Sequence, residues 1–334
     1  MGWDDIDARW QQLNPVFVRG MQRSGTSIMG RALRRMNIAG FGEGHLWFDL
    51  VEPFMQLRDP AYHSHLREDE YALGQGRVAQ LEKYIAVALD QFHRDHLSSD
   101  LKRWMDKSPG AEAVRIAPLL AELFPRSQFI FMYRNGITNV HSGIKFWADY
   151  PGIFQVMCQG WTETMSAWRE VRKSLRGRYI EIAQEDMASQ SLKTAICLTN
   201  FLGMPESRYS VVDLFCSNRV LSSFPDKNPG DYHYQIDWRP EQKAHFIEMC
   251  QEEMEIWGYE INFDSLGFAR DVLPLPDGLV AIISDLNQRD ARIAELEREY
   301  QALREHLARV EQGRVMRLLN WLHRWKPRLL KQDS

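Results

Sequence analysis

Residues 15–27 read Pro-Val-Phe-Val-Arg-Gly-Met-Gln-Arg-Ser-Gly-Thr-Ser. This stretch constrains the fold more than any other. Pro15–Gly20 is a short apolar run ending in glycine, the pattern of a buried strand. Ser27–Met36 follows as a helix. A strand that passes through a tight loop into a helix gathers backbone N–H groups at the positive end of the helix dipole, which makes an anion site. Gly20 and Gly25 permit the tight turn and a close approach to a phosphate-like group. The spacing is that of the nucleotide loop GxxxxGK[ST], with one departure: Thr26 stands where the lysine belongs. The lysine serves the β- and γ-phosphates in kinases and NTPases, so ordinary ATP chemistry is not the expectation. Arg23, inside the loop, supplies a cation instead.

The remaining pattern alternates. Phe129–Tyr133 and Tyr179–Ile182 read as further buried strands, and Arg77–His96, Ala111–Leu123, Ile137–Phe146, Leu192–Phe201 and Glu241–Trp257 as helices. Trp161 and Trp168, seven apart, fall on one helix face. Asn218–Arg239 is rich in Ser, Pro, Asp, Asn and Gly and reads as a long loop. Strands separated by helices predict an α/β, P-loop-type three-layer fold around a central parallel sheet. Leu273–Gly278 reads as a boundary. Beyond it Ile282, Leu286, Arg289, Ile293, Leu296, Tyr300, Leu303, Leu307 and Val310 alternate four and three apart, a heptad repeat. The expected organisation is a core domain at 1–272, a helical coiled-coil extension at 279–312 and a basic amphipathic tail at 313–334.

Charge separates the tail from the body. The net charge is -4, which argues against a nucleic-acid binder. Gly313–Ser334 carries six basic residues and one acid, a net of +5, so the rest carries -9. The tail mixes those cations with Trp321, Trp325 and leucines, so peripheral contact with an anionic membrane is one expectation and packing on its own helix the other. No run of 18 apolar residues and no secretory h-region is present, and the four cysteines have neither CxxC nor zinc spacing. The location expected is cytoplasmic, peripheral on the inner membrane face in the case that the tail binds membrane.

The RSGTS segment Arg23–Ser27, preceded by VFVRG, resembles the 5′-phosphosulfate loop of sulfotransferases that use 3′-phosphoadenosine 5′-phosphosulfate. The likeness is to the tyrosylprotein and carbohydrate branch, with RSGTT; Ser27-Ile28 replaces the Thr-Trp pair of the cytosolic branch. Three further elements follow in the family's order. FIFMY leads to Arg134 and, eight residues on, Ser142, similar to the family's 3′-phosphate element. Lys107-Ser108-Pro109 resembles the Lys–x–Pro segment that places a lysine near the sulfuryl group. Glu185-Asp186 is similar to the acidic turn after the third strand, and both read as structural.

The resemblance implies that Arg23, Ser24, Gly25, Thr26, Ser27, Arg134 and Ser142 bind the donor. Arg23 and Lys107 would also stabilise charge on the leaving group, with no metal required. Glu43, in Gly-Phe-Gly-Glu-Gly-His, matches the base of tyrosylprotein sulfotransferases, and the neighbouring substrate-binding candidate His45 is its rival. A tail similar to those of bacterial surface-polysaccharide enzymes implies a glycan or lipid-linked glycan as acceptor and self-association through the coiled coil. Protein tyrosine or a small molecule is the alternative acceptor. A P-loop kinase and a non-catalytic nucleotide-binding assembly protein are the competing classes.

Overall fold

The computed structural model describes residues 3–41, 43, 75–97, 103–216, 231–234, 236–264 and 266–269, with Arg292 and Leu296 beyond them. The central sheet has five strands in the order β2-β3-β1-β4-β5. They are β1 Val16–Gly20, β2 Ile38–Ala39, β3 Arg103–Lys107, β4 Gln128–Tyr133 and β5 Tyr179–Ala183. All neighbours pair parallel. Val18 lies opposite Lys107 and Gly20 opposite Met132, so β1, β3 and β4 reach the same edge together.

Side-chain alternation along the strands builds two cores. Val16 and Val18 of β1, with Ile130 and Met132 of β4, pack with the helices Thr26–Arg35, Ser191–Phe201 and Arg208–Cys216. Phe17, Phe129 and Phe131 point to the other face and meet the helices at 75–97, 111–123, 153–171 and 240–256. A sheet covered on both faces must be apolar on both, which is why these strands read as continuous hydrophobic runs. The two tryptophans on one helix face are both fully buried. Trp168 stacks on Phe131 at 4.4 Å, and the Trp161 indole N–H donates to Arg134 O at 3.0 Å, fixing the chain as it leaves β4.

The structure corrects the sequence reading in three places. Ala111–Leu123 is two helices, Ala111–Arg115 and Ala117–Leu123, parted at Ile116. Pro118 has no N–H for the carbonyl four residues back and starts the second helix instead. The strand Arg103–Lys107 has no counterpart in the sequence reading; its polar residues hid a strand that is buried throughout. Within the predicted loop 218–239, Asp231–Tyr234 forms a strand (β6) antiparallel to Leu266–Ala269 (β7).

The chain divides into two units, Met1–Leu273 and Pro274–Ser334. Of the second, only Arg292 and Leu296 are described, both helical. The heptad repeat and basic tail otherwise lie outside the described residues. No helix among the described residues is long and apolar enough to cross a membrane.

Candidate active site

The site forms where β1, β3, β4 and β5 end. β1 runs into a loop whose glycines are required by their surroundings. A Cβ on Gly20, at φ 142°, would lie 2.1 Å from Met132 O. A Cβ on Gly25, at φ 92°, would meet Met187 Cε at 2.7 Å. Arg23 has φ 68°, in the left-handed region that non-glycine residues rarely occupy. The carbonyls of this loop are taken up by protein donors. Met21 O accepts from Ser24 N and Ser24 Oγ, Gln22 O from Asn139 Nδ2, and Arg23 O from Arg134 Nη1. The helix that follows, Thr26–Arg35, has no side-chain cap and no acid in its first turn. Its first N–H groups have no acceptor within the helix, and they face the loop's end with the dipole's positive charge.

The predicted residues sort into two groups. In the first, Arg23 Nε donates to Ser142 Oγ at 3.2 Å, and Arg134 Nη1 to the carbonyl of Arg23 at 3.1 Å. Arg134 is buried, and its Nε donates to Thr138 Oγ1 at 2.9 Å. Asn135 caps the next helix through Oδ1 to the N–H groups of Ile137 and Thr138. In the second group, Lys107 ends β3, and its Nζ lies 3.0 Å from Glu43 Oε1. Lys107 is buried while Glu43 is 51% exposed, so the carboxylate covers the ammonium from the solvent side. Ser24 is wholly buried and braces the loop from within; Thr26 is buried and Ser27 exposed. His45 lies outside the described residues.

Burial lowers the pKa of Arg23, and the charge of Arg134 lowers it further. An anion held near both guanidinium groups would relieve this repulsion. Phe146 lies under Arg23, with the guanidinium carbon 4.4 Å from the ring centre.

Several supporting residues act through contacts between distant segments. Glu185 Oε1 accepts from Asn135 N at 2.9 Å and ties the end of β5 to the start of the helix Gly136–Phe146. Burial pushes its carboxyl pKa up, opposed by Arg134 and by the Asn135 N–H. Arg19 and Asp106 form a buried ion pair at 2.8 Å between β1 and β3. Arg19 Nη1 also donates to Asp106 O, and Ser108 Oγ to the Asp106 carboxylate. Burial presses both charges toward neutrality, and their mutual attraction opposes it. Ser108 N to Val18 O and Gly110 N to Gly20 O extend the β1–β3 pairing past the strands. Together these bonds fix Lys107 relative to the anion loop. The sequence signal was Arg19 inside the apolar strand β1, a residue type seldom buried unless paired.

Beside the loop lies a cleft of about 420 Å³, lined by Met21, Gln22, Gly110, Glu112, Trp147, Tyr150, Met157 and Glu163 among others. Its walls combine aromatic rings with two carboxylates.

The chain belongs to the sulfotransferase family, whose model matches residues 15–208. No curated protein matches it in sequence. Among solved structures it is similar to the sulfotransferase domain of the Synechococcus PCC 7002 olefin synthase, with 14% identity, 75% of this chain and 97% of that one covered, and a TM-score of 0.44. Sulfotransferase STF9 from Mycobacterium avium matches at 11% identity over 77% and 82%, with a TM-score of 0.44. The sulfotransferase domain from the curacin biosynthetic pathway matches at 16% over 75% and 99%, with a TM-score of 0.43.

Proposed function

We propose that this sulfotransferase moves a sulfuryl group from 3′-phosphoadenosine 5′-phosphosulfate to a hydroxyl of a glycan or lipid-linked glycan. One observation carries the donor assignment: Arg23, Arg134 and Ser142 meet at the carboxyl edge of the sheet, beside an uncapped helix start. These groups fit a donor with anionic groups at both ends. Arg134 and Ser142 hold the 3′-phosphate, and the loop N–H groups hold the 5′ end. Arg23, placed against Ser142, serves the 3′-phosphate side as well as the loop.

The S–O bond to the nucleotide breaks as the acceptor oxygen forms its bond to sulfur. Lys107 lies on the acceptor side of the loop and stabilises the charge that grows on the leaving oxygen. Glu43 takes the acceptor's hydroxyl proton. Their ion pair places base and cation next to each other before substrate arrives. The aromatic and acidic cleft supports a sugar acceptor, since Trp147 and Tyr150 offer flat faces for ring C–H groups and Glu112 and Glu163 accept from hydroxyls.

The test is calorimetric titration with adenosine 3′,5′-bisphosphate, with ATP as the control. Micromolar binding of the first and none of the second supports the donor assignment. The reverse would put phosphoryl transfer in its place. Transfer of labelled sulfate to glycans, against tyrosine peptides, then tests the acceptor.

A further inference from the structure

The helix Ile153–Val171 carries two apolar stripes. Phe154, Cys158, Trp161, Met165 and Trp168 recur at intervals of four and three and are buried in the core. One such stripe is all that a surface helix needs in order to pack on a sheet. Ile153, Val156, Met157 and Gly160 make the second, at positions i, i+3, i+4 and i+7. It forms one wall of the cleft of about 420 Å³ beside the anion loop. Val156 is 51% exposed there, and Tyr150, just before the helix, is 61% exposed. Apolar side chains left open around a cavity mark a binding surface. Gly160 brings the loop close to this stripe, since a Cβ there would lie 2.9 Å from Met21 Cε. The unbranched side chains of Met21 and Met157 adapt to irregular apolar shapes.

The chemistry of the walls narrows the ligand. Glu112 pairs with Arg115, and Glu163 accepts from Gln159, each within its own helix or one residue pair beyond a turn of it. Thr164 Oγ1 donates to Gly160 O. The two carboxylates add negative charge, and no lysine or arginine is among the described residues that line the cleft. An anionic group is therefore repelled. A peptide laid along Ile153, Val156 and Met157 would leave its backbone N–H and C=O groups without partners. A hydrocarbon chain asks for none. The cleft is also continuous with the reaction site. Met21 and Gln22 belong to the anion loop, and Gly110, three residues after Lys107, donates its N–H to Gly20 O at 2.8 Å.

Resting on the acceptor reading above, we propose that the second stripe is a chain subsite and that the acceptor is an uncharged glycolipid. Its sugar ring sits against Trp147 and Tyr150, and its apolar chain lies along Ile153, Val156, Met157 and Gly160. From Ile153 to Gly160 the helix rises about 10 Å, which sets the length of chain that is covered.

The experiment is calorimetric titration of the full chain with butyl, hexyl and octyl β-glucoside, each kept below its micelle concentration. Burial of the chain strengthens binding about two- to fourfold per added methylene. Val156→Asp places a charge on the stripe at an exposed position, outside the core. It weakens octyl glucoside binding at least about tenfold and flattens the dependence on chain length. Val156→Gln, which adds no charge, acts in the same direction and more weakly. Affinity independent of chain length, no binding of octyl glucoside, or an unchanged dependence in both variants would overturn the proposal. The readout needs neither donor nor transfer. Chain-dependent binding by a protein that ignores adenosine 3′,5′-bisphosphate would uphold the subsite and overturn the donor reading instead.

Discussion

The two edges of this sheet carry the same kind of residue and use it differently. At the carboxyl edge Arg23, Lys107 and Arg134 end or follow strands, ahead of helix starts. At the amino edge Arg103, Arg126 and Arg178 precede or open strands and face helix ends. In a parallel sheet wound with helices this asymmetry is fixed by chain direction: every strand's end feeds a helix N-terminus, and every strand's start receives a helix C-terminus. Arginines at the amino edge are therefore drawn to the carbonyls at and beyond helix ends. At the carboxyl edge the backbone itself is electropositive, and cations add to it. Anion chemistry is concentrated where the loop glycines sit for that reason.

The largest break in this comparison should come from the ion pair that joins β1 to β3. Asp106→Asn leaves Arg19 charged, buried and uncompensated, with two of its nitrogens already lacking partners. The expected loss is about 3–5 kcal/mol of unfolding free energy in urea titration. Arg19→Met with Asp106→Leu should recover most of it, because a buried pair replaced by apolar side chains is often neutral. Recovery of stability without recovery of kcat would show that the pair positions Lys107 rather than merely filling space.

Next in size is the base. Glu43→Gln keeps the hydrogen bond to Lys107 but cannot take a proton. Turnover should fall at least about a hundredfold with donor affinity intact. Wild-type turnover would transfer the role to another group, His45 first. Arg134→Ala should weaken adenosine 3′,5′-bisphosphate binding by about ten- to a hundredfold, since a charge-assisted bond is worth roughly 1.5–3 kcal/mol. Unchanged affinity would remove it from the site.

Acid should act on the carboxyl edge through His141, beside Ser142. Burial, with Lys145, lowers its pKa to about 4, against 6.5 for an ordinary histidine. A depressed folded-state pKa stabilises above the unfolded pKa, and that contribution is lost as pH falls from 6.5 through 4. Asp237, 3.9 Å from the ring, opposes the shift and tempers the loss. His141→Gln should flatten this part of the stability profile between pH 7 and 4.5. Equal acid sensitivity in the variant would mean that buried carboxyl groups dominate instead.

Legibility in the sequence follows the same asymmetry. The strand–loop–helix at Pro15–Ser27 declares itself because glycines and apolar runs are local signals. The register that sets Arg134 beside Arg23 O follows from a parallel sheet once its order is known. β3 stayed hidden because Arg103, Asp106 and Lys107 look like surface residues until their buried partners are in place. The meeting of Lys107 with Glu43 spans 64 residues and has no local signature. Pro118 did signal its break, but a helical pattern across it masked the signal. The amino-edge cluster is assembled from three separate strand starts, so no single segment shows it.

The smallest expected effect tests how firmly Arg23 is held. Phe146 is 62% exposed, and its ring meets the edge of Trp147 as well as the Arg23 guanidinium. A cation over an exposed ring contributes about 0.5–1 kcal/mol. Arg23 also bears a left-handed backbone, so its side chain depends on this ring and on Ser142 for direction. Phe146→Leu keeps an apolar side chain and removes the π face. It should raise the KM for donor about two- to fivefold with kcat nearly unchanged, because the ring orients a binding cation and touches no reacting atom. A fall in kcat of the size seen with Glu43→Gln would instead place Arg23 at the sulfuryl group, and the two clusters at the carboxyl edge would then act as one.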